Sequence, residues 1–152
     1  MDHEGMVHAL EEIQRLIRVD GVLIEIHPVP GSPLIEVRSE GEVAFREPDP
    51  TYDYEDDLRH AEQAVDEIVR RGRFDLNATR DVDFVIHASS VEELREYWAV
   101  HGAYDDAPKV DATVVRENEF YDRMEKVMGG LRGHGHLLYT ERARLSRLDP
   151  IH

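Results

Sequence analysis

A chain of 152 residues is one domain by length, and with 41% hydrophobic residues it holds enough for a core and too many for a disordered chain. A formal charge of −15 repels phosphate, which argues against nucleic acid and anionic membranes as partners. The absence of cysteine excludes disulfides, thiolate metal sites and a cysteine nucleophile together.

The acidic start, MDHEG, lacks the apolar run of a signal peptide. No stretch approaches the ~18 consecutive apolar residues of a membrane span. The expected compartment is therefore the cytoplasm.

In chain order, the first helix places Met6, Leu10, Ile13 and Ile17 on one face, widened by Ala9 and Leu16. Gly21 stops it, and a strand over 22–27 follows at once. Val22, Leu23, Ile24 and Ile26 make that strand so apolar that burial on both faces is expected, as for parallel strands. The prolines of HPVPGSP (27–33) mark a connector. A hairpin is expected next, with strands 34–39 and 42–47 turning at Glu40 and Gly41.

A second helix over about 54–71 carries Tyr54, Leu58, Ala61, Val65 and Ile68 on one stripe. Glu55, Asp56 and Asp57 stand at its positive end, Arg70 and Arg71 at its negative end, and Gly72 closes it. Alternation then predicts two strands, one showing Phe74, Leu76 and Ala78 on a face, the next Val82, Phe84 and Ile86. Ser90 and Glu93 have capping-box spacing for a short helix with Val91, Leu94 and Trp98 inward. A helix over about 111–128 turns Phe120, Met124 and Val127 inward, and a last strand over about 136–146 alternates Leu137, Tyr139, Ala143 and Leu145.

The run LIRVDGVLIEIHP (16–28) is similar to the one with which class I S-adenosylmethionine-dependent methyltransferases enter their fifth strand. Val19-Asp20-Gly21 keeps only the last glycine of that family's Pro-Gly-Gly turn. DFVIHASSVEELREYW (83–98) resembles the stretch between the family's last strands. The resemblance implies an α/β fold with a partial Rossmann-like methyltransferase sheet: one apolar strand after a helix, then antiparallel strands with three or four helices. It implies that residues 1–152 form a single domain like the C-terminal, substrate-side half of such an enzyme.

The family's Gly-rich turn after its first strand and the acidic end of its second have no counterpart here. Gly129, Gly130, Gly133 and Gly135 follow a helix and open a strand, the reverse of the strand–turn–helix order that cradles a cofactor, and read as a plain turn. No cofactor-binding residue is therefore assigned. S-adenosylmethionine is expected only with a partner chain, and the isolated chain is expected to be inactive. A non-catalytic binding or regulatory module that kept the fold remnant is the alternative.

His27 ends the apolar strand at its carboxyl edge, where open α/β sheets bind ligands. The resemblance puts the following loop beside the active site, so His27, Tyr52 and Tyr54 are candidates to line a small-molecule substrate pocket. His27 is also the one candidate general base. The plainer alternative is that His27 caps the strand and Tyr54 anchors a helix. His134 and His136, with His87 or His101, have imidazoles for a metal but no accompanying carboxylate pattern, and no metal is assigned. The acidic turn 55–57 is explained by the helix dipole, and Trp98 by core packing. Finally, strand 22–27 would have a bare apolar edge, expected to pair with a second copy in a homodimer or with a partner subunit, unless 34–47 covers it.

Overall fold

The computed structural model describes residues 3–101 and 111–152. It is α/β, with α1 (His3–Leu16), β1 (Leu23–Pro28), β2 (Leu34–Ser39), β3 (Glu42–Pro48), α2 (Glu55–Arg70), β4 (Phe74–Ala88), α3 (Val91–His101), α4 (Asp111–Gly130) and β5 (Gly135–Pro150). The strands pair in the order β1-β5-β2-β3, with β4 also on β5. Two compact units divide the chain. One comprises Met1–Gly31, Asp53–Phe84 and Arg142–His152; the other comprises Ser32–Tyr52 and Val85–Glu141. Each has its own core.

The first unit buries Val7 of α1, Ala64, Val65 and Ile68 of α2, Phe74 of β4 and Leu148 of β5, with Met6, Leu10, Leu23 and Val69 packed around them. The expected face of α1 holds at Met6 and Leu10, but Ile13 is 38% and Leu16 70% exposed. The expected end of α2 also holds. Gly72 has φ +66°, its N–H donates to the Val69 carbonyl, and the Arg73 N–H donates to that of Ile68. This is a Schellman closure, which needs a left-handed residue. A Cβ at Gly72 would meet nothing within 4 Å, so Gly72→Ala isolates the conformational term. It should lower stability by about 1 kcal/mol in urea titration, with an unchanged denaturant slope.

The expectation for β1 is corrected. Ile24 and Ile26 are 53% and 55% exposed, while His27 is buried and Leu23 and Glu25 half-buried. The reason is topological. β1 runs antiparallel to β5, from Leu23↔Leu148 to Pro28↔Ala143, and α2 packs on the face that carries Leu23. An antiparallel strand of this kind buries one face, so period 2 selects Leu23, Glu25 and His27 in spite of the apolar residues between them. β5 is the only strand paired with β1 among the described residues, which leaves β1 at the end of the strand order. The hairpin pairs with β5 through β2, from Leu34↔Thr140 to Ser39↔Gly135, and not with β1.

The two strands expected over 74–86 are a single strand, β4. No glycine or proline interrupts 79–81, and side chains tie the strand to β5 along its length. Asn77 bonds Asp149, Asp81 bonds Arg144, and Asp83 bonds Arg142. One number rises as the other falls, so this pair is antiparallel as well. β5 is correspondingly longer than expected and reaches Pro150.

The second unit buries Ile35 and Val37 of β2, Leu137 and Tyr139 of β5, Ala88 of β4, Val91 and Leu94 of α3, and Phe120, Tyr121 and Met124 of α4. Its hairpin turns as the sequence requires. Glu40 and Gly41 have φ +52° and +86° between the paired Ser39 and Glu42, the positive values of a type I′ turn. The cap of α3 is a shifted box. Ser90 Oγ accepts the Glu93 N–H at 3.1 Å, but the Glu93 carboxylate reaches the N–H and hydroxyl of Ser89, at 2.7 and 2.6 Å. Those Ser89 bonds, the hydroxyl first, hold the Glu93 carboxyl below its usual range.

Candidate functional site

The inward face of the β1–β5 pair changes character along its length. Its opposed residues are Leu23↔Leu148, then Glu25↔Ser146, then His27↔Arg144. On α2 the buried stripe of Ile68 and Ala64 continues one turn back to His60, with Glu62 alongside. The core of the first unit is thus apolar at one end and ionic at the other.

At the ionic end His27 is 6% exposed, and its Nδ1 lies 2.6 Å from Glu25 Oε1. Residues i and i+2 of a strand share a face, which fixes this pair in the backbone. A carboxylate only accepts, so Nδ1 carries the hydrogen, and in the neutral form of the ring the lone pair is at Nε2. That Nε2 lies 4.0 Å from Glu62 Oε1, which itself accepts from Arg144 at 2.9 Å. The remaining guanidinium donors of Arg144 grip Asp81 in a fork, at 2.8 and 3.1 Å. Arg144 holds the Asp81 carboxyl below its usual range, and the same bond raises Arg144. Glu62 and Asp81 are therefore committed to Arg144, whereas His27 Nε2, Glu25 Oε2 and His60 Nδ1 are buried without a hydrogen-bond partner. A buried imidazole oriented by one carboxylate and unpaired at its other nitrogen has the bonding pattern of a general base.

Of the expected site residues, only His27 occupies this centre. Tyr54 belongs to the same unit but is 47% exposed at the N-terminus of α2, where its carbonyl accepts the Leu58 N–H. Tyr52 belongs to the second unit, half-buried. His134 and His136 are exposed, and His134 precedes β5. His87 is exposed on β4, and the side chain of His101 lies outside the described residues. Among the described residues no group of three or more His, Asp or Glu is placed to hold a metal ion, and no helix is long and apolar enough to cross a membrane. Glu55 of the acidic turn pairs with Arg59 one turn on, as a solvated helix face does.

Sequence reasoning missed Glu25, Glu62, Asp81 and Arg144. The alternation of Leu23, Glu25 and His27 carried the signal for the first of these, whereas Glu62 lies off the His60–Ala64–Ile68 stripe of α2. No local pattern pairs β5 with β1, so Arg144 had none. No family model matches this chain, and no curated protein or solved structure matches it at a significant level.

Proposed function

We propose that this chain is the substrate-side half of a class I S-adenosylmethionine-dependent methyltransferase, completed by a cofactor-binding half from another polypeptide. One observation carries the reading: a helix leads into β1, and β1 borders a closing antiparallel pair, β5 and β4. The family sets its fifth strand in the same relation to its final antiparallel pair, and in this reading the present sheet is part of a Rossmann-like one. The edge of β1 that no strand among the described residues pairs is then where the other half, or a second copy, would add a strand.

The described residues do not fit the cofactor by themselves. None of the strands leads through a Gly-rich turn into a helix: β3 enters α2 through Thr51-Tyr52-Asp53-Tyr54, and β4 enters α3 through Ser89-Ser90. What this chain supplies is the acceptor side. A hydroxyl or amine acceptor sheds a proton as it is methylated, and in this reading His27, unpaired at Nε2, is the base that takes it. Glu25 holds the ring's tautomer and steadies the imidazolium that results.

Calorimetric titration with S-adenosylmethionine tests this. The chain alone should give no saturable heat. Its mixture with a separately encoded protein bearing a Gly-rich strand–turn–helix, sought first next to this reading frame, should bind. No binding by any such mixture would sink the proposal, and saturable binding by the chain alone would refute the division into halves.

A further inference from the structure

An edge strand offers unpaired backbone donors and acceptors, and natural sheets blunt such edges with charged side chains, prolines or bulges. Among the described residues β1 and β3 end the strand order, and β4 pairs with β5 alone. The middle of β4 carries Arg80, Asp81 and Asp83, and β3 carries Glu42, Arg46 and Glu47 beside a register shift in its pairing with β2. β1 is barely protected. Its register with β5 is unbroken, it holds no lysine or arginine, and its one proline is its last residue. Ile24 and Ile26, both more than half exposed, stand on its outer face.

The ladder fixes which residues serve the other edge of β1. The Val29 N–H donates to the Arg142 carbonyl at 2.8 Å, in continuation of the β1–β5 register. Alternate residues of an antiparallel strand bond the same neighbour, so Glu25 and His27 bond toward β5, while Ile24 and Ile26 turn their N–H and C=O to the opposite edge. A second β1 added there about a two-fold axis perpendicular to the sheet has two registers centred on the strand. With the axis at Glu25, two carboxylates stand directly opposite each other, which destabilises a sheet. With the axis at Ile26, the two Ile26 residues exchange both backbone bonds, and each Ile24 N–H meets the Pro28 carbonyl of the other copy. Proline's missing N–H costs one bond on each side. In return, each Glu25 stands opposite an imidazole instead of another carboxylate.

We propose that β1 pairs antiparallel with β1 of a second copy about a two-fold axis at Ile26, which sets Glu25 of each copy opposite the partner's His27. The candidate site of each copy then lies beside a carboxylate from the other. The charge pattern of β1 complements itself in this register, which is why the occupant is a second copy of the chain. The proposal does not rest on methyl transfer. Dimerisation can fail while the S-adenosylmethionine titration succeeds, and the reverse.

Sedimentation equilibrium of the full chain tests this, in about 0.15 M salt to screen the repulsion between two acidic copies. A contact one strand wide lies at the weak end of protein interfaces, so the mass is followed from micromolar to millimolar concentration and should double across that range. Ile26→Lys and Ile26→Glu each place like charges face to face at the axis, and each alone should raise the dissociation constant about tenfold or more. An equimolar mixture of the two should recover association, because lysine then faces glutamate. The matching pair at Ile24, which lies opposite Pro28, should show no such recovery. Cooperative melting of all four variants confirms that the exposed face was changed without loss of the fold. A mass of one chain throughout would overturn the proposal and leave the edge to a different partner. Association that survives Ile26→Lys, or recovery in the Ile24 mixture and not in the Ile26 mixture, would overturn it as well.

Discussion

Phe74→Ala is expected to lower stability by about 4 kcal/mol, the largest effect of any single truncation in the first unit. Phe74 is fully buried and opens β4 immediately after the Gly72 turn, so its ring cannot leave the core without unwinding the Arg73–Ile68 closure of α2. It shares the core with Val7, Ile68 and Leu148, from three different elements, and none of them can follow a retreating side chain far enough to fill the space. The loss therefore combines the ring's transfer energy with that of the cavity left behind. For a chain of this size it corresponds to roughly 8–16 °C in Tm, read by thermal denaturation followed by circular dichroism. Leu76→Ala supplies the control. Leu76 is two residues along the same strand but 45% exposed, and its truncation should cost under about 1 kcal/mol. Equal losses at the two positions would mean that β4 does not bury Phe74 selectively.

The elements that local chemistry specifies are those the sequence announced. Helix α2 carries acids in its first turn, a basic last turn and a glycine where the chain must turn left-handed, and it lies within a residue of the expected bounds. The hairpin turned where a Glu-Gly pair separates two β-rich runs, and Ser90 with Glu93 marked the start of α3. What the sequence did not convey depends on partners far along the chain. Ile24 and Ile26 read as core because they are the most apolar residues of β1, yet pairing with β5 decides which face is buried, and it chose Glu25 and His27. The long β4 reads as two strands because its middle carries the polar Asn77, Thr79, Arg80 and Asp81. Two of them answer residues of β5: Asn77 bonds Asp149 and Asp81 bonds Arg144. The candidate site suffered most from this, since one of its members, His27, stood out on its own while the rest are defined by strand register.

The same register argument gives the second large effect, at Glu36. This residue lies opposite Arg46 in the hairpin and Leu138 in β5, and its side chain is 6% exposed. Burial pushes its carboxyl up, but the guanidiniums of Arg46 and of Arg38, the latter at 2.7 Å, outweigh burial and hold the carboxyl below its usual range. A buried acceptor serving two cations contributes more than an exposed ion pair, because the carboxylate has already lost its water. Glu36→Gln keeps the shape, removes the charge and turns an amide N–H toward a guanidinium, so about 2 kcal/mol should be lost at neutral pH. The pH dependence then separates charge from shape. A carboxyl whose folded pKa is depressed contributes its full stability above the unfolded value of about 4.3 and loses it as pH falls through the folded pKa. The natural chain and Glu36→Gln should therefore differ most above about pH 5 and converge as the medium is acidified. Urea midpoints measured across that range check this, and a difference that stays constant with pH would show that Glu36 acts through packing and not through its charge.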